Sequence, residues 1–424
     1  MKRTKKQARP LFYGWVIVAA SVLLSAIGLG MFYSTNSAFV KPVCQTLGFT
    51  RAQFSAHRSI VTVCGALLMP LYGRLINRMG AKRVLLAGAV GLSAAMLGYS
   101  AVQKLWQLYA VALLNGIFLN GVSFMTIGVL VCHWFDDERG TACGVAYCGS
   151  GVGAALAVPA IGRIIESLGW RAAYRTMAAV GLAVLLLTIL LLVREEPSEM
   201  GLQPYSNGKS GAKGRVVPRN QGMAFGQARH SAIFWMLLIA VFGVSGCVAG
   251  PNTHTIPYMT DIGYSTAAAT MIVSVFMLMV SVGKILLGVI YDRLGTRAGN
   301  LFVGCCCIAF PLMALAARAR AAAWGYAVFV GLASAGSSVP LSILTLKYFG
   351  ERDFSMVFSF VNMASTAGTA AIVPMMGWVY DSTGTYAGAW MLVLAVAITS
   401  TALLMLCDRI HRKTEAAETK GASV

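Results

Sequence analysis

The sequence predicts an all-α membrane protein of twelve transmembrane helices arranged as two six-helix halves. Three observations predict it. A loop recurs: Gly73-Arg-Leu-Ile-Asn77-Arg78-Met-Gly80-Ala-Lys82-Arg83 returns 215 positions later as Gly288-Val-Ile-Tyr-Asp292-Arg293-Leu-Gly295-Thr-Arg297, each copy joining one long apolar run to the next. The same offset relates Val158-Pro159-Ala-Ile-Gly162 to Val373-Pro374-Met-Met-Gly377, and Gly169 to Gly384. A repeating unit of roughly 200 residues is far longer than a solenoid repeat, so the chain is a tandem duplication of a multi-helix unit. Finally, 57% of its 424 residues are hydrophobic and only 12% charged, with a mean hydropathy of +0.70, too apolar for a water-soluble domain.

Apolar stretches long enough to cross a bilayer fall at 12–33, 54–76, 84–102, 106–132, 141–165 and 172–193, then at 232–258, 267–291, 300–317, 321–346, 354–380 and 386–407. The first run follows a basic, polar decapeptide and lacks a small-residue cleavage site, so it reads as a retained span rather than a removed signal. With the N-terminus inside, 24 of the 34 Lys and Arg lie on the inner side, nine on the outer side and Lys284 within a span. Both termini are therefore expected in the cytoplasm. The formal charge of +19 is mostly this topological bias and gives no reason to expect a nucleic-acid partner.

Residues 1–194 form the predicted N-terminal half and 230–424 the C-terminal half. From Glu195 to Arg229 the chain is rich in Pro, Ser, Gly, Lys, Asn and Gln without apolar periodicity, a flexible cytoplasmic linker. Its Gly208-Lys-Ser-Gly follows no strand and has the wrong spacing for a phosphate loop. All ten cysteines except Cys44 lie in or at the ends of apolar runs, where Cys packs as a small hydrophobe. Neither a disulfide framework nor metal-ligand spacing is present, and no cofactor is expected.

On the duplication, the twelve spans and the recurrent loop, the chain resembles the major facilitator superfamily over nearly its whole length. The family's loop between its second and third spans runs Gly-x-x-x-Asp-Arg-x-Gly-x-Lys/Arg. Gly288, Asp292, Arg293, Gly295 and Arg297 match it; Gly73, Arg78 and Gly80 match it in the first copy, where Asn77 replaces the acid. Tyr13-Gly-Trp15-Val-Ile-Val, Leu47-Gly-Phe-Thr-Arg51-Ala-Gln53 and the pattern around Lys284 resemble, less specifically, the branch holding oxalate/formate antiporters and monocarboxylate transporters.

A carboxylate at a helix C-terminal end is electrostatically unfavourable unless another helix's N-terminus or an arginine lies opposite. Asp292 is therefore expected to bond across the molecule to the start of the fifth span at Arg139-Gly140-Thr141, and the family resemblance implies a latch there that holds the outward-open state. The alternative is a topogenic turn without a gating role. Asn77 carries no charge, so the matching contact in the first half should be weaker.

Lys284 stands about 12 Å into the membrane, two helical turns before Asp292. A charge at that depth costs several kcal/mol and should face the bundle interior. In the oxalate/formate and monocarboxylate carriers a cation at this position is associated with the substrate carboxylate, which implies that role for Lys284. A snorkelling lysine or a partner for a helix carbonyl are the other readings. The first-half counterpart is Met69, and residues 354–381 hold no second cation, which argues against a two-cation clamp on a dicarboxylate.

No Asp or Glu lies deep in a span, so organic cations have no counter-ion and any proton falls to His254, His57 or the substrate acid. His254 sits between Pro251 and Pro257 beside Asn252, in what reads as a broken seventh helix that bares carbonyls to a cavity, or equally as a rim histidine satisfied locally. Tyr33 and Asn36 are the corresponding polar residues of the first half; Asn120 and Asn362 are further cavity candidates, each equally explained as helix–helix glue.

The expected function is a secondary transporter of a small organic anion, a monocarboxylate, working by alternating access as an antiporter or proton symporter. Its partners are that anion, protons or a counter-anion, and the lipid bilayer of the cell membrane, for a monomeric carrier. The alternatives are an exporter of hydrophobic compounds and a non-transporting membrane sensor. An enzyme is not expected, since no nucleophile is paired with a base.

Overall fold

The computed structural model describes residues 12–206, 222–316 and 319–421. Apart from two isolated β-bridges, the regular structure among these residues is helical. Eleven helical stretches are long and apolar enough to cross a membrane. One of them, Met271–Cys307, is two helices, because Gly295 has φ 83° and ψ 175° in its middle. Counted this way, the described residues form twelve crossing segments.

The first six begin with α1 (Tyr13–Ser25), which runs on as a π-helix to Met31. A turn leads into α2 (Asn36–Leu47), an element absent from the sequence reading, which took this stretch as a polar outer end. Then come α3 (Arg51–Met79), α4 (Ala81–Ser100), α5 (Leu105–Leu119) with α6 (Phe124–Trp134), α7 (Arg139–Leu168), and α8 (Trp170–Leu187) with its π-helical end at Leu192. After the short α9 (Phe225–Ala228), the remaining six are α10 (Ala232–Asp261), the two parts of α11 (Thr266–Cys307), α13 (Arg320–Ala333) with α14 (Val339–Phe349), α15 (Phe354–Thr383) and α16 (Ala387–Gly421). The short α12 (Leu312–Leu315) follows the ninth segment, which is shorter than the apolar run at 300–317 suggested.

The duplication reappears in the irregularities. The fourth crossing segment breaks into a 3₁₀ turn at Asn120–Val122 and the tenth at Ser334–Ser337, where Asn120 corresponds to Ala335. Gly80 (φ 86°) and Gly295 (φ 83°) make the same sharp turn between helices, in a backbone region that glycine alone enters without strain. Each turn is held by an acid from the end of its own six-segment set. Glu195 Oε1 accepts the Ala81 N–H at 2.6 Å, and Asp408 Oδ1 accepts the Thr296 hydroxyl at 2.5 Å and the Lys347 ammonium at 2.9 Å.

The seventh segment corrects the sequence reading. α10 runs unbroken through Pro251 and Pro257, because a proline inside a long helix removes one hydrogen bond and bends the rod without ending it. The breaks fall instead at glycine- and serine-rich stretches of the fourth and tenth segments.

The linker is likewise less free than its composition suggests. Tyr205 N–H donates to Trp134 O at 2.8 Å, and Asp136 and Asp137 N–H both reach Tyr205 O. Met223 N–H donates to Phe349 O at 2.8 Å, and Phe225 N–H to Asp353 Oδ2 at 2.7 Å. The bridges Phe135–Tyr205 and Gly222–Gly350 tie the two linker ends to loops related by the 215-residue offset. Gly208 and its neighbours lie outside the described residues.

Candidate functional site

The seam between the first and last six segments is built on glycine. α7 packs on the first part of α11, and α3 on α15. A Cβ on Gly140 would stand 2.6 Å from Gly288 O, and one on Gly288 would run into the Gly140 carbonyl, so the two backbones touch. One turn further, a Cβ on Gly144 would collide with the carbonyl of Lys284; beyond that, one on Gly151 would collide with the Ser281 hydroxyl. On the other seam, a Cβ on Gly73 would come 2.7 Å from Ser355 O.

At the linker end of this seam Asp292 Oδ1 accepts the Gly140 N–H at 2.8 Å and Oδ2 the Thr141 N–H at 2.6 Å. These are first-turn donors of α7 that its own N-cap residue, Glu138 with φ 61°, leaves uncapped by any side chain. Arg139 does not pair with Asp292. Its guanidinium reaches Glu351 at 2.6 Å, Asp136 at 2.9 Å and the Phe135 carbonyl, adding an ion pair across the seam. Burial pushes the Asp136 carboxyl up, and the charge of Arg139 opposes it. Burial likewise raises Glu195, opposed by its bond from Ala81. Asn77 is exposed and makes no hydrogen bond among the described residues, and Arg78, Arg293 and Arg297 are exposed on the same face.

Lys284 lies two turns deeper on α11 and is buried, with 7% of its surface exposed. It crosses the seam: Nζ donates to Ser150 Oγ at 2.9 Å and to Tyr147 O at 3.3 Å, both on α7, and stands 4.8 Å from the centre of the Phe124 ring. All three partners are uncharged, and no carboxylate pairs with Lys284 among the described residues. Ser150 was legible in the sequence only as part of a glycine-rich helix. Its role as a partner depends on the crossing of α7 and α11.

The remaining candidates separate into three settings. Tyr33 and Asn36 line a pocket inside the first six segments, at the end away from the linker, together with His57 and Arg58. His254 is held within the last six, with Nε2 2.9 Å from Val373 O and Nδ1 3.2 Å from Tyr386 Oη. The carbonyl can only accept, so Nε2 carries a proton. Asn120 donates to Gly65 O at 2.6 Å, tying the broken fourth segment to α3, and Asn362 donates to Phe358 O on its own helix at 2.9 Å. The side chain of Asn252 lies outside the described residues. The structure therefore brings Lys284, Ser150, Asp292 and Arg139 onto one seam and leaves Tyr33, Asn36 and His254 in separate neighbourhoods.

Trp106 and Trp235 are exposed near segment ends, as interfacial anchors would be, whereas Trp170 is buried under Arg171 and bonds Thr46 of α2. No cluster of His, Cys, Asp or Glu able to hold a metal ion occurs among the described residues.

The family model of the Major Facilitator Superfamily matches residues 18–352. Monocarboxylate transporter 12-B of Danio rerio is 23% identical over 95% of this chain and 89% of its own length. The oxalate:formate antiporter of Oxalobacter formigenes is 24% identical over 66% of this chain and 64% of its own length. Among solved structures, the E. coli fucose:proton symporter superposes with a TM-score of 0.67 at 15% identity, covering 93% of this chain and 99% of that one.

Proposed function

Because the chain belongs to the major facilitator superfamily, and so is a multi-pass membrane transporter rather than an enzyme, we propose that it carries a small organic anion, a monocarboxylate, by alternating access. One observation carries this reading: a buried ammonium at the seam, Lys284, whose partners among the described residues are a hydroxyl, a carbonyl and a ring face. A buried charge without a counter-ion is costly. A carboxylate arriving between the two sets of helices would supply the missing charge, and being held from both sides it would favour their closure around it. The position of Lys284 on the seam matters, since a ligand bound there touches both moving parts.

One cation suits one carboxylate. The absence of Lys and Arg from residues 354–381 supports a monocarboxylate over a dicarboxylate; the name of the monocarboxylate transporter agrees with that class, while the oxalate:formate antiporter's name joins a dicarboxylate to a monocarboxylate. The contacts of Asp292 and Arg139 support a state closed on the linker side, with the seam acting as the cytoplasmic gate. Transport by such a carrier is either anion exchange or co-transport with a proton.

The test is uptake into proteoliposomes from a panel of labelled monocarboxylates, dicarboxylates, sugars and hydrophobic cations. Saturable uptake of one or more monocarboxylates, lost in Lys284→Ala with insertion and thermal stability retained, is the expected result. Uptake confined to hydrophobic cations, or monocarboxylate uptake unchanged in Lys284→Ala, would replace this reading.

A further inference from the structure

The pocket inside the first six segments does not include Lys284, and nothing in the transport reading uses it. It lies between the turn after α1, α2, α3, α4, α5 and α8, and the space it encloses is small. Its polar side is Tyr33, Asn36, His57, Arg58 and Asn115; its floor is apolar, with Met96, Leu119 and Met177.

The charge balance of this pocket is one-sided. The Arg58 guanidinium lies 3.3 Å from the centre of the Tyr33 ring and donates through Nη1 to Tyr33 O at 2.8 Å. That stacking and single bond fix the plane of the fork. No carboxylate pairs with Arg58 among the described residues, and no acidic residue lines the pocket. Its remaining N–H groups make no further hydrogen bond to described residues. A guanidinium fixed in plane with free donors is the arrangement that receives a carboxylate bidentately.

The polar neighbours fit the same ligand. His57 is buried, with Nδ1 against the Phe54 carbonyl, so Nδ1 carries a proton. Nε2 lies 3.1 Å from the Asn36 side-chain amide, which therefore either donates to a neutral ring or accepts from a cationic one. Either way His57 brings no negative charge and holds Asn36 in place. Asn115, mostly buried in α5, adds a neutral amide to the lining. A compact anion would thus meet a cation and two amides, with aliphatic side chains closing the space behind it. The small enclosed space favours a compact anion over one with a bulky tail.

We propose that this pocket is a second anion site that binds a compact carboxylate, of one or two carbons, through Arg58 with Asn36 beside it. It is separate from the seam, and it stands whether or not Lys284 binds a transported substrate. Binding there would brace the turn after α1 against α3, which joins the first crossing segment to the second.

The probe is sodium formate, titrated against purified full-length protein in detergent at constant ionic strength with sodium gluconate as balance, and followed by calorimetry. The Lys284→Ala background removes the seam cation. In that background saturable formate binding is expected to persist, to weaken at least tenfold in Lys284→Ala/Arg58→Gln, and to recover in part with Arg58→Lys. Should Arg58→Gln disturb folding, Asn36→Asp provides the second variant, since an added carboxylate in the pocket should abolish formate binding. Formate binding that is absent in Lys284→Ala, or that is unchanged by both Arg58→Gln and Asn36→Asp, overturns the second site. Loss of transport in Lys284→Ala bears on the seam alone.

Discussion

Asp292 caps a helix to which it is joined only through space: its two oxygens take the N–H groups of Gly140 and Thr141, 152 and 151 residues away in the chain. The cap works because Gly288 and Gly140 let the two backbones touch, which brings a helix C-terminal end and a helix N-terminal end together on one face. A carboxylate is stabilised at an N-terminus and destabilised at the C-terminus of its own helix, so the contact relieves both ends at once.

Asp292→Asn should therefore weaken closure of the linker face. The amide keeps one acceptor, so the expected cost is on the order of 1 kcal/mol, enough to shift a balanced two-state population several-fold. Distance measurements between spin labels on the linker ends of α7 and α11, in a cysteine-free background, report the population. An unchanged distance distribution would reduce the loop to a topological turn.

Asn77 occupies the matching place on α3 yet makes no hydrogen bond among the described residues, although Gly73 brings α3 just as close to α15. The first turn of α15 has no side-chain cap either, since the carboxylate of its N-cap residue Asp353 is turned to the Phe225 N–H. Asn77→Asp should supply that cap across the second seam and shift the population toward closure of the linker face, opposite in sign to Asp292→Asn. If both substitutions moved the population the same way, the capping account would be wrong.

The fold was legible because the apolar runs and the recurring loop are local, and local patterns survive in sequence. The partner of Asp292 was legible in part: an acid at a helix C-terminus demands a donor, and of the expected Arg139-Gly140-Thr141 the two backbone N–H groups serve while Arg139 pairs elsewhere. The site was legible in part. Lys284 announced itself by charge in an apolar run, but Ser150 and Arg58 did not: a serine among glycines and an arginine near a segment end are ordinary residues until helix crossings decide what they face. The two prolines beside His254 misled for the opposite reason, as a local rule for helix ends gives way in a long packed helix. Tyr205 and Gly222 carry no periodic signal, and their bridges depend on loops far away in the chain.

Glu195 gives a test outside the crossing segments. Its carboxylate caps the N-terminus of α4, and burial raises its pKa above the ordinary carboxylate value. Glu195→Ala should cost about 1 kcal/mol, the usual value of a lost cap. Glu195→Gln keeps the acceptor and removes the buried charge. For an acid raised in the folded state, protonation favours folding as pH falls, so wild type should gain on the Gln variant when pH is lowered from neutral through the raised value. Thermal unfolding of both proteins at several pH values reads the difference; a gap that widens in favour of Gln on acidification would contradict the assignment.

His254 and His57 are the side chains with a claim on proton coupling, and the contacts of His254 are those of a structural residue. Nε2–H is committed to Val373 O, and Nδ1 lies within hydrogen-bond distance of the Tyr386 hydroxyl, so the two ring nitrogens tie α10 to α15 and to the turn that follows it. A glutamine at this place can donate to the same carbonyl. His254→Gln should therefore lower stability by no more than about 1 kcal/mol, in keeping with single hydrogen bonds between membrane helices, and should leave anion uptake and its response to an imposed pH gradient intact. Coupling then rests with co-transport, its proton carried by the substrate or by His57, or with exchange of one anion for another. The two are separated by loading the vesicles with anion or leaving them empty: exchange requires the internal anion, and co-transport requires only the gradient. Gradient-driven accumulation that disappears in His254→Gln, while exchange survives, would instead place the proton on His254, with the Tyr386 hydroxyl turning from donor to acceptor.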